Sequence, residues 1–170
     1  KTIQKYLGKG YVVEACNGHV QDLPNSRNAT WAYVDGELPK PPWDWTKDAE
    51  KTVDRILKKA SEKDVEKIYL ATDLDREGEF IAWRLAAILI EAGYHEVHRV
   101  TFNAITKKAV EESIANASEI DLKLVDAAIV RRLMDRLVGF RASKFANSWS
   151  IKSLGRVQTP TCGFIVDREL

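Results

Sequence analysis

Apolar residues along this chain change their spacing several times. After Thr46, the residues Ala49, Val53, Ile56, Leu57 and Ala60 recur at helical intervals with Lys and Glu between them. This predicts an amphipathic helix with Thr46 as its N-cap. Residues 67–72 (KIYLAT) and 97–102 (VHRVTF) are short, mostly apolar runs and predict strands. Between them, residues 77–92 predict a helix with an apolar majority that stops at Gly93. Thr106 is placed to cap a helix running to about Ala115. Asp121 is placed to cap a longer one, with Leu122, Val125, Ile129 and Leu133 on one stripe. Nearer the N-terminus, residues 11–15 (YVVEA) predict a strand, and Asn17-Gly18 a turn. Residues 24–45 read as a long connection pinned by Trp31, Trp43 and Trp45.

Strand–helix–strand–helix alternation implies an α/β fold, a Rossmann-like parallel sheet flanked by helices. The chain after about Ile120 reads as helical only. The expected division is a domain over residues 1–118 and the start of a helical domain over residues 119–170.

The chain has 170 residues and is 45% hydrophobic, enough for a real core. No apolar run approaches the roughly 18 residues that span a bilayer, so no membrane role is expected. Cys16 and Cys162 lie far apart without a C-x-x-C partner. That excludes a disulfide framework and points to a reducing, cytoplasmic compartment. The net charge of +1 argues against a nucleic-acid binder until it is resolved along the chain. Residues 1–130 carry 18 basic and 22 acidic side chains. Residues 131–158 carry seven basic side chains against Asp135 alone. An acidic body thus precedes a basic stretch.

The most informative segment is Asp73-Leu74-Asp75-Arg76-Glu77-Gly78-Glu79, directly after a predicted strand. Residues two apart on extended chain share a face, so Asp73 and Asp75 are expected to point together off the strand end. Ligands of open α/β sheets bind at that end. Carboxylates this close call for a cation, and Mg²⁺ suits hard oxygen ligands with retained waters and substrate phosphates. The same residues mimic the first half of a calcium-binding EF-hand loop. Its ninth and twelfth positions would be Ile81 and Arg84, however, and a strand stands where a helix is needed.

This acidic segment, followed by Ile81-Ala82-Trp83, resembles the Toprim motif of type IA DNA topoisomerases. Toprim cores also occur in primases, small nucleases and recombination mediators. Four further segments resemble the type IA pattern, in family order: residues 18–24 (GHVQDLP), 99–106 (RVTFNAIT), 131–140 (RRLMDRLVGF) and 153–161 (SLGRVQTPT). The forms of residues 18–24 (GHVQDLP) and 73–79 (DLDREGE) lean toward the topoisomerase I branch rather than reverse gyrase.

The resemblance implies relaxation of negatively supercoiled DNA without ATP. A tyrosine attacks a phosphodiester of single-stranded DNA and is linked to the 5′ phosphate; a strand passes and the break is resealed, with Mg²⁺ in support. It implies Asp73, Asp75 and Glu77 as metal ligands, with Glu79 closing the motif. It implies catalytic roles for His19, Arg132, Asp135 and Arg156. DNA contacts fall to Arg131, Arg132, Arg136, Ser153, Arg156 and Gln158. Independently of the family, Arg132 and Arg136 are four apart on a helix, and Arg131 reaches Asp135 in the same way. Guanidinium forks suit phosphates.

The family begins with an apolar strand ending in a glutamate, then a lysine, and this chain starts after both. Its tyrosines Tyr6, Tyr11, Tyr33, Tyr69 and Tyr94 lack the context of the family's nucleophile. The expectation is therefore a piece of a topoisomerase, acting on the nucleoid together with the rest of its chain and unable to cleave DNA alone. Two other classes remain: another Toprim enzyme, such as a primase or nuclease, which gives no reason for residues 131–140 and 153–159, and a non-catalytic DNA-binding Toprim protein, which would not bind Mg²⁺.

Overall fold

A computed structural model describes residues 2–24, 43–63, 65–152 and 154–169. The elements run α1 (Thr2–Leu7), β1 (Gln21–Asp22), β2 (Asp44–Trp45), α2 (Ala49–Glu62), β3 (Ile68–Leu70), α3 (Arg76–Glu91), β4 (Val97–Arg99), α4 (Lys107–Ala115), α5 (Leu122–Ala146) and α6 (Gln158–Glu169), with one 3₁₀ turn at Asn147–Trp149. The fold is mixed α/β, with a small parallel sheet, flanking helices and a helical segment after it.

Strands β3 and β4 are parallel, with Ile68, Tyr69 and Leu70 opposite Val97, His98 and Arg99. A parallel pair needs a crossover, and α3 supplies it. One apolar core joins Ala49 and Val53 of α2, Leu70 of β3, and Ala82, Leu85, Ala86 and Leu89 of α3, with Val20 beside them. Helix α3 ends in a Schellman motif: the Tyr94 amide donates to Leu89 O (2.9 Å) and that of Gly93 to Ile90 O (3.0 Å). Gly93 takes the required left-handed conformation at φ 96°.

Two caps are as expected. The Thr106 hydroxyl accepts the Ala109 amide at 3.3 Å. The Asp121 carboxylate accepts the amides of Lys123 (2.9 Å) and Leu124 (3.3 Å). Along α5, Val125, Ala128 and Leu133 are buried. Leu122, expected on that stripe, is instead 61% exposed at the outer first turn.

Three other expectations are corrected. Residues 11–15 form no strand, because Gln4 of α1 claims their backbone: its amide group donates to Tyr11 O (2.7 Å) and its Oε1 accepts the Val13 amide (2.9 Å). Thr46 does not cap α2. Its hydroxyl donates to His19 O at 2.5 Å, and Asp48 holds the N-cap position at φ 60° without a side-chain cap bond. The strands of the parallel pair are three residues each rather than six. Of the connection, residues 25–42, with Trp31, lie outside the described residues. Trp43 packs edge-on to Phe80 and Trp83.

By contacts the chain forms two units. One comprises the residues up to Asp22 and from Trp43 to Ala128; the other comprises Leu23, Pro24 and the residues from Ile129 onward. No helix among the described residues is long and apolar enough to cross a membrane.

Candidate functional site

The acidic segment lies in the first unit, where β3 hands over to α3. The chain leaves β3 at Leu70 and closes a tight turn. The Thr72 hydroxyl donates to Gly78 O at 2.6 Å. The Asp75 carboxylate accepts the Gly78 amide at 2.7 Å and so caps α3. Only glycine fits at residue 78: a Cβ there would lie 2.1 Å from the Asp73 carbonyl oxygen. Asp73 and Asp75 are both exposed.

Residues 71–75 are not extended strand, so the alternation expected to align Asp73 with Asp75 does not operate. Glu77 turns toward His19, with His19 Nε2 3.5 Å from its carboxylate. The His19 ring also lies 5.7 Å from Phe80. Two residues singled out 58 positions apart are thus neighbours. The turn does not gather its carboxylates: among the described residues no three His, Cys, Asp or Glu side chains form a metal-holding group. In kind, the donors fit Mg²⁺, which takes one or two carboxylates and completes its shell with water and phosphate oxygens.

Glu79 stands apart from the other three. It is 4% exposed, and its Oε2 accepts Arg99 Nε at 2.9 Å. Its Oε1 accepts the Asp121 amide at 2.8 Å. Arg99 itself is 1% exposed. Sequence reasoning saw Arg99 only as part of a motif; a lone arginine within an apolar strand was the available signal. Arg84, which in the sequence serves only to argue against a calcium loop, is also engaged in the structure. It bonds Gln21 Oε1 and lies over the rings of Trp43 (5.3 Å) and Trp83 (4.9 Å). Burial lowers its pKa from the ordinary arginine value, and the charge of Glu91 opposes this.

The basic candidates occupy the second unit. Arg156 Nε donates to Asp135 Oδ1 at 2.7 Å, and Arg131 Nε lies 3.7 Å from Asp135 Oδ2. The hydrogen bond to Asp135, and then its charge, raise the Arg156 pKa. Asp135 therefore organises two arginines, one along its own helix and one 21 residues away. Asp135 and Arg156, but not Arg131, border an open concavity of about 600 Å³ whose lining also includes Gly139, Gln158, Thr161 and Cys162. Arg132 is half-buried.

Arg136 is engaged within its own unit. Its guanidinium donates to Pro24 O (2.9 Å) and Leu23 O (3.3 Å) and lies 5.4 Å from the Phe140 ring. Chain carbonyls, not an open face, take its fork. Ser153 lies outside the described residues.

Residues 1–105 match the family described as Toprim domain, and residues 119–170 match the family described as DNA topoisomerase. The structure is similar to that of full-length topoisomerase I from Thermotoga maritima in a monoclinic crystal form, with TM-score 0.71 and 35% identity. That similarity covers 86% of this chain and 24% of the Thermotoga maritima chain, so this chain spans about a quarter of that protein's length.

Proposed function

From a chain that belongs to the Toprim family and, through the segment that follows, to the type IA DNA topoisomerases, we propose a part in ATP-independent relaxation of negatively supercoiled DNA. The observation that carries this reading is the order of the two matches in one chain, Toprim first and topoisomerase second. A primase or nuclease has no use for the second.

The proposed division of labour follows the two units, with the functional boundary near residue 119. Asp73 and Asp75, exposed at the end of the sheet, together with Glu77, are the residues that would hold Mg²⁺. The ion's chemistry there is to offset negative charge on the phosphodiester. His19, beside Glu77, contacts the same phosphate. In the second unit Arg131, Arg132 and Arg156 take the backbone of a single strand, Asp135 orients Arg131 and Arg156, and Gln158 at the start of α6 reaches a base. Ser153 is proposed for the same strand on the family pattern alone. Such binding is dominated by phosphate charge and weakens with salt. DNA as substrate places the protein on the nucleoid in the cytoplasm.

None of the five tyrosines has the nucleophile's context, so these 170 residues alone form no covalent adduct. The test is to incubate the chain with labelled single-stranded DNA and Mg²⁺. Salt-sensitive binding without an adduct on a denaturing gel is the expected result. No binding at low salt, or an adduct, contradicts the reading.

A further inference from the structure

Where β3 stops, its ladder with β4 stops too, and the carbonyls of the following residues need donors. One side chain supplies them. From β4, Arg99 sends Nη1 to Leu70 O (3.0 Å), Thr72 O (2.9 Å) and Val100 O (2.5 Å), and Nη2 to Asp73 O (2.8 Å). Its third nitrogen, Nε, donates to Glu79. The register explains the reach: Arg99 stands opposite Leu70, the last residue of β3. A planar fork can serve carbonyls on several sides at once, which a lysine ammonium on a flexible stem cannot.

Both oxygens of Glu79 are engaged, on Arg99 and on the Asp121 amide, and the side chain is buried. Glu79 is therefore the counter-charge that lets a guanidinium sit in the interior, and it is not available to a cation. A buried charge without such a partner is costly.

We infer that Arg99 is a positioning residue for the acidic turn: by holding the carbonyls of Thr72 and Asp73, it sets how Asp73 and Asp75 are presented, with Glu79 as its buried partner. This rests on the proposed metal role of that turn. The role of Glu79 also follows: it closes the motif structurally, not as a ligand.

Two variants of the 170-residue chain test it. Arg99→Lys keeps the charge and removes the fork. The double variant Arg99→Met/Glu79→Gln removes both charges, leaving an amide oxygen for Asp121. Amide exchange is read at Gly78, bonded to the Asp75 carboxylate, and at Ile68, bonded to Glu96 O at the far end of β3. Mn²⁺, as probe, is titrated by electron paramagnetic resonance. In both variants Gly78 should exchange at least about tenfold faster with Ile68 unchanged, and Mn²⁺ affinity should fall about 10- to 100-fold, as for other residues that orient ligands. Unchanged Gly78 exchange, unchanged Mn²⁺ affinity, or equal loss of protection at Ile68 would each overturn the inference. If the unmodified chain binds no Mn²⁺, the metal reading fails, and the exchange at Gly78 alone decides the role of Arg99.

Discussion

Gly78 packs on the backbone of Asp73 so closely that an added Cβ would stand 2.1 Å from the carbonyl oxygen and 2.9 Å from the amide nitrogen. Neither atom belongs to a flexible side chain, so the turn cannot absorb a methyl group without moving. Gly78→Ala should therefore destabilise the chain by about 1–3 kcal/mol, the usual cost of overpacking. Urea denaturation measures this. A midpoint equal to that of the parent would show that the acidic turn is looser than described.

Asp75 has two roles that substitution can separate. Its carboxylate caps α3 through the Gly78 amide, and in the proposed function it also meets Mg²⁺. Asn caps helices about as well as Asp, whereas Ala loses about 1 kcal/mol. Asp75→Asn should keep the melting temperature near that of the parent and weaken Mn²⁺ binding. Asp75→Ala should lower both. Equal loss of melting temperature in the two variants would count against the cap.

Arg136 and Arg156 should respond in opposite ways. Arg156 is exposed, paired only at its Nε with Asp135 among the bonds described, and free to lend its fork to phosphate. Arg156→Ala should leave thermal stability nearly unchanged, weaken single-strand binding, and reduce the salt slope by about one. Arg136 is tied to Leu23 and Pro24. Arg136→Ala should lower thermal stability and leave the salt slope as it was. Melting curves and fluorescence anisotropy across a salt series check both.

What could be read in the sequence was local. The Thr106 and Asp121 caps, the stop at Gly93 and the Arg131–Asp135 spacing each depend on residues within one or two turns. What escaped was the choice of distant partners. The strand-forming residues 11–15 gave their backbone to Gln4. Thr46 gave its hydroxyl to His19 O, across 27 positions. The acidic segment sets four carboxylates at alternate positions, yet each found a different neighbour: Asp75 the helix cap, Glu77 His19, Glu79 the buried Arg99, and Asp73 a place at the exposed surface. Alternation along the chain cannot foresee this, because the strand ends before the segment begins. Charge segregation, by contrast, is a property of the sequence itself, and the described residues of the basic stretch 131–158 fall in the second unit.

Residues 1–105 belong to the Toprim family and residues 119–170 match the DNA topoisomerases, so in the proposed function this chain works as part of a type IA topoisomerase. The most direct measurement replaces the matching quarter of the Thermotoga maritima enzyme with this chain and follows negatively supercoiled plasmid on an agarose gel. A folded chimaera, verified by its melting transition, is predicted to relax the plasmid with Mg²⁺ and without ATP. It should lose that activity when Asp73→Asn and Asp75→Asn are introduced together. A chimaera that folds but leaves the plasmid supercoiled, or relaxes it unaffected by the two substitutions, would contradict the account.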